Sequence, residues 1–455
     1  MTLSHQQTRT RDRPDYGVSF DGSTRRINTR FPATAWWGSA ANFDDSETRL
    51  STLAHTFRIS RDTQLRTQVR HADYERAYWV KTPSPINAPD ALAGSGGNVT
   101  RSGSYKTLTL QSDLTTRTEL LGMRHQLLAG VEAMNEDGFR STLANLGTIA
   151  APVFLRNAIN PAATPATFIG NTRAMYAQDS IEFAPHWRLL LGMRHDQLRA
   201  DYSSVASPSL RFSENSYRAG LSWQPVDETH YYVSMSDSFS PTADLYQLSG
   251  GAYPAERSKV LELGAKWLLM EGDLAFRTAL YRADKDWERN TDLESSAAIL
   301  TRKRRTNGLE LEMAGRITPK WEVFFNHTWI PDAKIDQSNV ARNSTGTGAQ
   351  VQGDRPGLTP KHSGSFWSTY AVTSSVRVGA GLTYRGKQNP EGQRSYYASG
   401  FSTVDAMVEY AFDEKTSLKL NVSNLFDRVY ADALYRGFYT PGAARSVQVT
   451  LKTRF

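Results

Sequence analysis

Gly381-Leu-Thr-Tyr-Arg-Gly386-Lys387 has the spacing of a phosphate-binding loop up to its last position, where Gln388 stands in place of serine or threonine. That loop works only between a strand and a helix, where a glycine turn lets successive backbone N–H groups cradle a phosphate. Here Val376 to Tyr384 alternate as a strand running straight through the would-be turn, so the stretch reads as strand and not as a nucleotide site. No G-x-S-x-G nucleophile elbow is present, and none of the 9 histidines forms an H-E-x-x-H pair. The histidines read as isolated polar positions on strand faces or in loops. Asp44, Asp45 and Glu47 could hold a cation, but carboxylates clustered at a loop–strand junction are usually solvated, so no metal ligand is assigned. No catalytic residue and no resident cofactor is assigned either. What remains is a set of aromatic and arginine side chains in the connections, which stack and donate hydrogen bonds without making or breaking covalent ones.

The elements that position them alternate with period two. Near the end of the chain Val447, Val449, Leu451 and Phe455 share one face, while Ser446, Gln448, Lys452 and Arg454 share the other. The split recurs with Leu418, Leu420 and Val422 against Ser417, Lys419, Asn421 and Ser423. It recurs again with Leu261, Leu263, Ala265 and Trp267 against Glu262 and Lys266. The pattern predicts seventeen strands, over 44–59, 63–78, 103–118, 123–138, 172–184, 188–203, 213–224, 229–238, 257–269, 273–284, 304–315, 320–332, 359–371, 375–387, 401–411, 416–426 and 443–455. Their connections alternate strictly between short and long. Outer-membrane barrels alternate periplasmic turns with extracellular loops in that way, whereas a soluble sandwich has no reason to keep its long loops at one end.

Composition fits this reading. The 455 residues are 39% hydrophobic, with a mean hydropathy of −0.51. No apolar run is long enough for a helical span, but membrane strands need only alternate residues to be apolar. The 20 Tyr and 10 Trp suit interfacial girdles. Zero cysteines exclude disulfide scaffolds, Cys-based zinc sites and thiol catalysis. The net charge of +7 is not gathered beyond the Arg302-Lys303-Arg304-Arg305 cluster, so nucleic acid is not expected as a partner. The polar start, MTLSHQQTRTRDRPDYG, has no apolar stretch of the kind an export signal needs.

Several segments resemble the TonB-dependent siderophore receptor family. The strongest is YAQDSIEFAPHWRLLLGMRHD (Tyr176–Asp196), similar to that family's hairpin in which a Tyr-x-Gln-Asp strand leads through a proline turn to Trp and a Leu-Leu-x-Gly-x-Arg strand. Others are MRHQLLAGVE (Met123–Glu132), PAERSKVLELGAKW ending at Trp267, RTNGLELEMAGRITPKWE (Arg305–Glu322), TPKHSGSFWSTY (Thr359–Tyr370), and the aromatic ending from Asn424 to Phe455. The resemblance runs in order over 44–455. It implies an all-β fold, a transmembrane antiparallel β-barrel whose full form has 22 strands around a plugged lumen. Residues 44–455 would be the C-terminal portion of that barrel and residues 1–43 part of an extracellular loop, with plug, TonB-contacting segment and the first five strands unrepresented. With seventeen strands, the first and the last would run parallel.

The resemblance further implies a location in the cell outer membrane of a Gram-negative bacterium, among outer-membrane lipid. It implies a role as receptor and transporter of ferric siderophores, with no enzymatic step and iron present only as part of the ligand. TonB would act through the unrepresented N-terminal region. Ferric siderophores are bulky, frequently anionic chelates, suited to stacking rings and Arg donors. The candidate ligand-binding residues are Trp36, Trp37, Tyr246, Tyr253, Arg394, Tyr396, Tyr397, Tyr435, Arg436, Phe438 and Tyr439. The competing assignment for any one of them is loop packing or the external aromatic girdle. Alternatives at the level of function are a passive outer-membrane pore, a receptor for another large ligand such as cobalamin, an enzyme built on a barrel, and a soluble carbohydrate-binding β-protein.

Overall fold

The computed structural model describes residues 1–32, 34, 42–83, 95–145, 154–159, 165–203, 209–241, 254–289, 299–339, 349–435 and 437–454. Among them are the strands β1 (Thr2–Asp12), β2 (Val18–Ser19), β3 (Phe43–Arg58), β4 (Thr63–Pro83), β5 (Ser95–Leu120), β6 (Met123–Ser141), β7 (Leu143–Asn145) and β8 (Phe154–Ile159). They continue with β9 (Ala166–Ala184), β10 (Trp187–Tyr202), β11 (Ser209–Trp223), β12 (Thr229–Ser240), β13 (Glu256–Leu269), β14 (Leu274–Arg289), β15 (Ile299–Thr318) and β16 (Trp321–Ser338). The last seven are β17 (His362–Ala371), β18 (Val376–Arg385), β19 (Phe401–Ala411), β20 (Thr416–Ser423), β21 (Ala431–Leu434), β22 (Phe438–Pro441) and β23 (Ser446–Thr453).

Eighteen of these make one antiparallel sheet. β1 lies beside β3, the long strands then follow in chain order through β20, and β23 lies beside β20. All seventeen expected strands are present, several of them longer than the alternation predicted. The count is corrected to eighteen by β1, which lies within the segment expected to be an extracellular loop and pairs with β3 from Thr2↔Ala54 to Asp12↔Asp44. The sequence pattern hides it because Leu3 is the single large apolar residue in TLSHQQTRTRD. With an even count, the two edge strands β1 and β23 run antiparallel, not parallel. Both edges are exposed along their whole length.

The register fixes the faces. Leu418↔Leu451, Leu420↔Val449 and Val422↔Val447 are direct cross-strand pairs, and Ser417↔Lys452 and Asn421↔Gln448 are the pairs between them. The polar set lies on the concave side, where curvature lets side chains meet across an intervening strand. Arg194 of β10 reaches Glu132 of β6 at 3.1 Å over β9, and Arg377 of β18 reaches Glu322 of β16 at 2.6 Å over β17. On the same side Tyr176 lies flat against Gly130, where a Cβ would stand 2.3 Å from its ring, and Tyr232 covers Gly264 in the same manner. Such pairs let an aromatic ring fill the gap a strand glycine leaves.

The convex side carries Leu53, Val69, Leu110, Val131, Met175, Met193, Leu261, Leu280, Leu382 and Leu420, all strongly exposed. At its short-turn end rings from successive strands touch: Trp187–Trp223 at 5.7 Å, Trp223–Tyr231 at 5.5 Å, Tyr231–Trp267 at 5.9 Å and Trp267–Phe276 at 5.5 Å. That is an interfacial aromatic girdle. The short turns are tight: Leu121 and Gly122 both take positive φ between β5 and β6, and Asp413 Oδ1 accepts the N–H groups of Lys415 and Thr416 at 2.8 and 2.7 Å.

Candidate ligand-binding mouth

At the long-loop end, three segments far apart in sequence fold onto one another. β2 pairs with β22, which pairs with β21, in a small sheet of their own. Val18, Phe20, Tyr396, Ala398, Ala431, Leu434 and Tyr439 form its buried core, with Ile27 and Phe31 packed against it. Local chemistry shapes each segment. Gly17 has φ +75°, and a Cβ there would stand 2.0 Å from the carbonyl oxygen of Tyr439, so only glycine lets β2 approach β22. Asp21 turns the chain by accepting the N–H groups of Ser23 and Thr24 at 2.9 and 2.8 Å and the Ser23 hydroxyl at 2.6 Å. The Ser23 hydroxyl first, with the backbone N–H of Thr24, brings its carboxyl down to about 2. Asn389 Nδ2 donates to the carbonyls of Tyr396 at 2.7 Å and Arg394 at 3.2 Å, which holds the third segment as a compact loop.

Among the residues expected to bind a ligand, Tyr396 and Tyr439 are buried. The rings of both lie against Phe20, at 5.2 and 5.4 Å. The Tyr439 hydroxyl donates to the Asn28 carbonyl at 3.0 Å, and burial pushes its titration up to about 12. These two rings hold the loops together and present no face outward. Tyr397 is half-buried, with the Arg26 guanidinium 5.3 Å and Lys387 Nζ 3.9 Å from its ring centre, and its hydroxyl accepts from Arg26 Nε. Arg25 donates to the Tyr396 hydroxyl at 2.8 Å. Arg394 is exposed and pairs with Asp354 at 3.3 Å. Tyr435 stacks on Phe438 with ring centres 4.7 Å apart, and Tyr16 extends that row at 6.0 Å. Trp36, Trp37, Tyr246, Tyr253 and Arg436 lie outside the described residues.

Arg25, Arg26 and Lys387 belong to this surface, although sequence reasoning did not select them. The signal available for the first two was a dibasic pair next to the Asp-Gly-Ser turn at residues 21–23. Two other expectations can be placed. The Gly381–Lys387 stretch is the end of β18 and the residues after it. Asp44 is engaged by Arg76, and Glu47 by Arg49, so that carboxylate group is spent on ion pairs along β3 and β4. Among the described residues no group of three or more His, Asp or Glu side chains is placed to hold a metal ion.

A sheet of this length, greasy outside and polar inside, with one end capped by aromatic loops, invites comparison with known barrels. The sequence profile of the TonB dependent receptor-like β-barrel family matches residues 2–425. The chain belongs to that family. Receptor barrels of this kind reside in the outer membrane of Gram-negative bacteria. The siderophore receptor PiuA from Acinetobacter baumannii superimposes with a TM-score of 0.82 at 20% identity, over 99% of this chain and 71% of its own. The closed form of the ferric-catecholate import receptor Fiu from Escherichia coli K12 gives 0.78 at 22% identity, over 100% of this chain and 72% of its own. In sequence, the metal-pseudopaline receptor CntO of Pseudomonas aeruginosa is 26% identical over 90% of this chain and 60% of its own length. This receptor barrel spans between 42% and 67% of the length of the curated relatives it matches.

Proposed function

We propose that this chain forms the barrel and the ligand-facing mouth of an outer-membrane receptor for ferric siderophores. The observation that carries the reading is the mouth, where Arg25, Arg26, Lys387 and Arg394 gather around the rings of Tyr397, Tyr435 and Phe438. Guanidinium and ammonium groups meet the negative charge of a chelate, and half-exposed rings meet its planar faces. Relatives named as siderophore receptors support it, among them Fiu of Escherichia coli K12, 24% identical over 92% of this chain. In this reading iron is cargo inside the chelate, no bond is made or broken, and energised uptake draws on TonB through a part of the receptor other than these strands.

The test is a titration of the full chain in lipid vesicles with ferric catecholate and ferric hydroxamate chelates. Arg394→Ala and Tyr397→Ala should each weaken binding about five- to ten-fold. Unchanged affinity in both variants would reject these residues. Binding of cobalamin with no affinity for any ferric chelate would replace the substrate class, and free dye leakage with no ligand binding would favour a passive pore.

A further inference from the structure

On the convex face, above the apolar belt and toward the long loops, β6, β9, β10 and β11 enclose a surface groove of about 840 Å³. Its walls are two cross-strand rows. One runs Ala133, Arg173, Gln197, Ser213, and the next runs Asn135, Asn171, Arg199, Arg211. Both rows share the outer face with Met175, Met193 and Tyr217, which are 63%, 54% and 48% exposed and lie a step or two closer to the short turns.

Three guanidiniums therefore stand where the wall leaves hydrocarbon. Elsewhere on this face arginines are matched by acids: Arg49 by Glu47 at 2.7 Å, Arg282 by Asp284 at 2.9 Å and Arg305 by Asp332 at 3.3 Å. In the groove Arg199 has Asp201 at 3.1 Å, whereas no ion pair or hydrogen bond links Arg173 or Arg211 to another described residue. Arg199 and Arg211 are also direct cross-strand partners, a like-charge pairing that costs stability unless an anion sits between them. Asparagine and glutamine amides on either side add neutral donors.

We infer that this groove binds the phosphate-bearing headgroup of an outer-leaflet lipid, whose acyl chains then lie down the belt past Met175 and Met193. Charge complementarity selects the phosphate, and continuity with the apolar belt selects a lipid over a soluble anion. The inference rests on the outer-membrane placement of the family and is independent of which ligand enters the mouth.

The full chain in phosphatidylcholine vesicles is titrated with a fluorescent, bis-phosphorylated, hexa-acylated glucosamine-disaccharide lipid, and energy transfer from tryptophan reports its occupancy at the wall. Arg173→Gln with Arg211→Gln should weaken capture about thirty-fold, on a basis of about five-fold per guanidinium near a lipid surface. Arg282→Gln should leave capture unchanged. Heat-modifiable gel mobility checks that each variant is folded. The dephosphorylated lipid should bind as weakly to the parent chain as the phosphorylated lipid does to the double variant. Equal capture by parent and folded double variant, or equal capture of the dephosphorylated lipid, would overturn the inference. Displacement by an equimolar amount of inorganic phosphate would also overturn it, because the groove would then hold a free anion.

Discussion

The wall and the mouth of this barrel satisfy the same backbone groups by different means. In the wall, N–H and C=O groups pair with a neighbouring strand over long unbroken ladders, and side chains need only be apolar on one face and polar on the other. In the mouth, ladders of two to four residues carry little, and the chain is held by side chains acting on backbone: Asp21 on Ser23 and Thr24, Asn389 on Tyr396 and Arg394, Tyr439 on Asn28. A wall built on a repeated pattern tolerates exchange within each face. A mouth built on single contacts does not.

The sharpest way to break the comparison is a charge on the convex side. Leu420→Arg should cost about 2–4 kcal/mol in folding titrations into lipid, while Lys419→Arg on the concave side should stay within about 0.5 kcal/mol. Equal cost would mean that the faces are misassigned. Next in size is Gly17→Ala, which forces a side chain into a left-handed backbone against a carbonyl and should cost the mouth about 1–3 kcal/mol. Hydrogen exchange should speed up at residues 16–31 and 431–441, with the wall ladders unaffected. Tyr439→Phe removes one buried hydrogen bond and should loosen the same segments by about 1 kcal/mol.

The smallest effects are those of pH. Tyr439 is raised in the folded mouth above its ordinary value of 10.0 to about 12. Its contribution is therefore whole below pH 10 and fades as pH climbs through 12. Asp21 is lowered from 3.8 to about 2, so its contribution is whole above pH 4 and is lost as pH falls through 2. Exchange at residues 16–31 should quicken at both extremes. Tyr439→Phe should abolish only the alkaline response and Asp21→Asn only the acid one. A mouth indifferent to pH in the parent chain would show that these two groups do not hold it.

The wall was legible in sequence because a strand with one face in hydrocarbon must alternate, as Leu418–Val422 and Val447–Leu451 do. β1 escaped because its outer face reads Leu3, His5, Gln7, Arg9 and Arg11, polar almost throughout. The mouth was legible only as residue types. Tyr396 and Tyr397 could be named as rings, but their partners Arg25 and Arg26 lie 371 positions away, and no local pattern encodes such a meeting. For the same reason Tyr439 read as a ligand contact, although Phe20 and Val18 make it a core residue.

The pairing of Val18 with Tyr439 joins the loop after the first strand to the loop before the last. Nearly the whole chain must be laid down as sheet before those two positions can meet, and closing so long an interval carries an entropy cost that grows with its logarithm. High sequence separation of contacts also slows assembly. The mouth is thus the last part of the molecule to lock during folding, and burial of the Phe20 ring is a kinetic marker that both ends of the wall have already been placed.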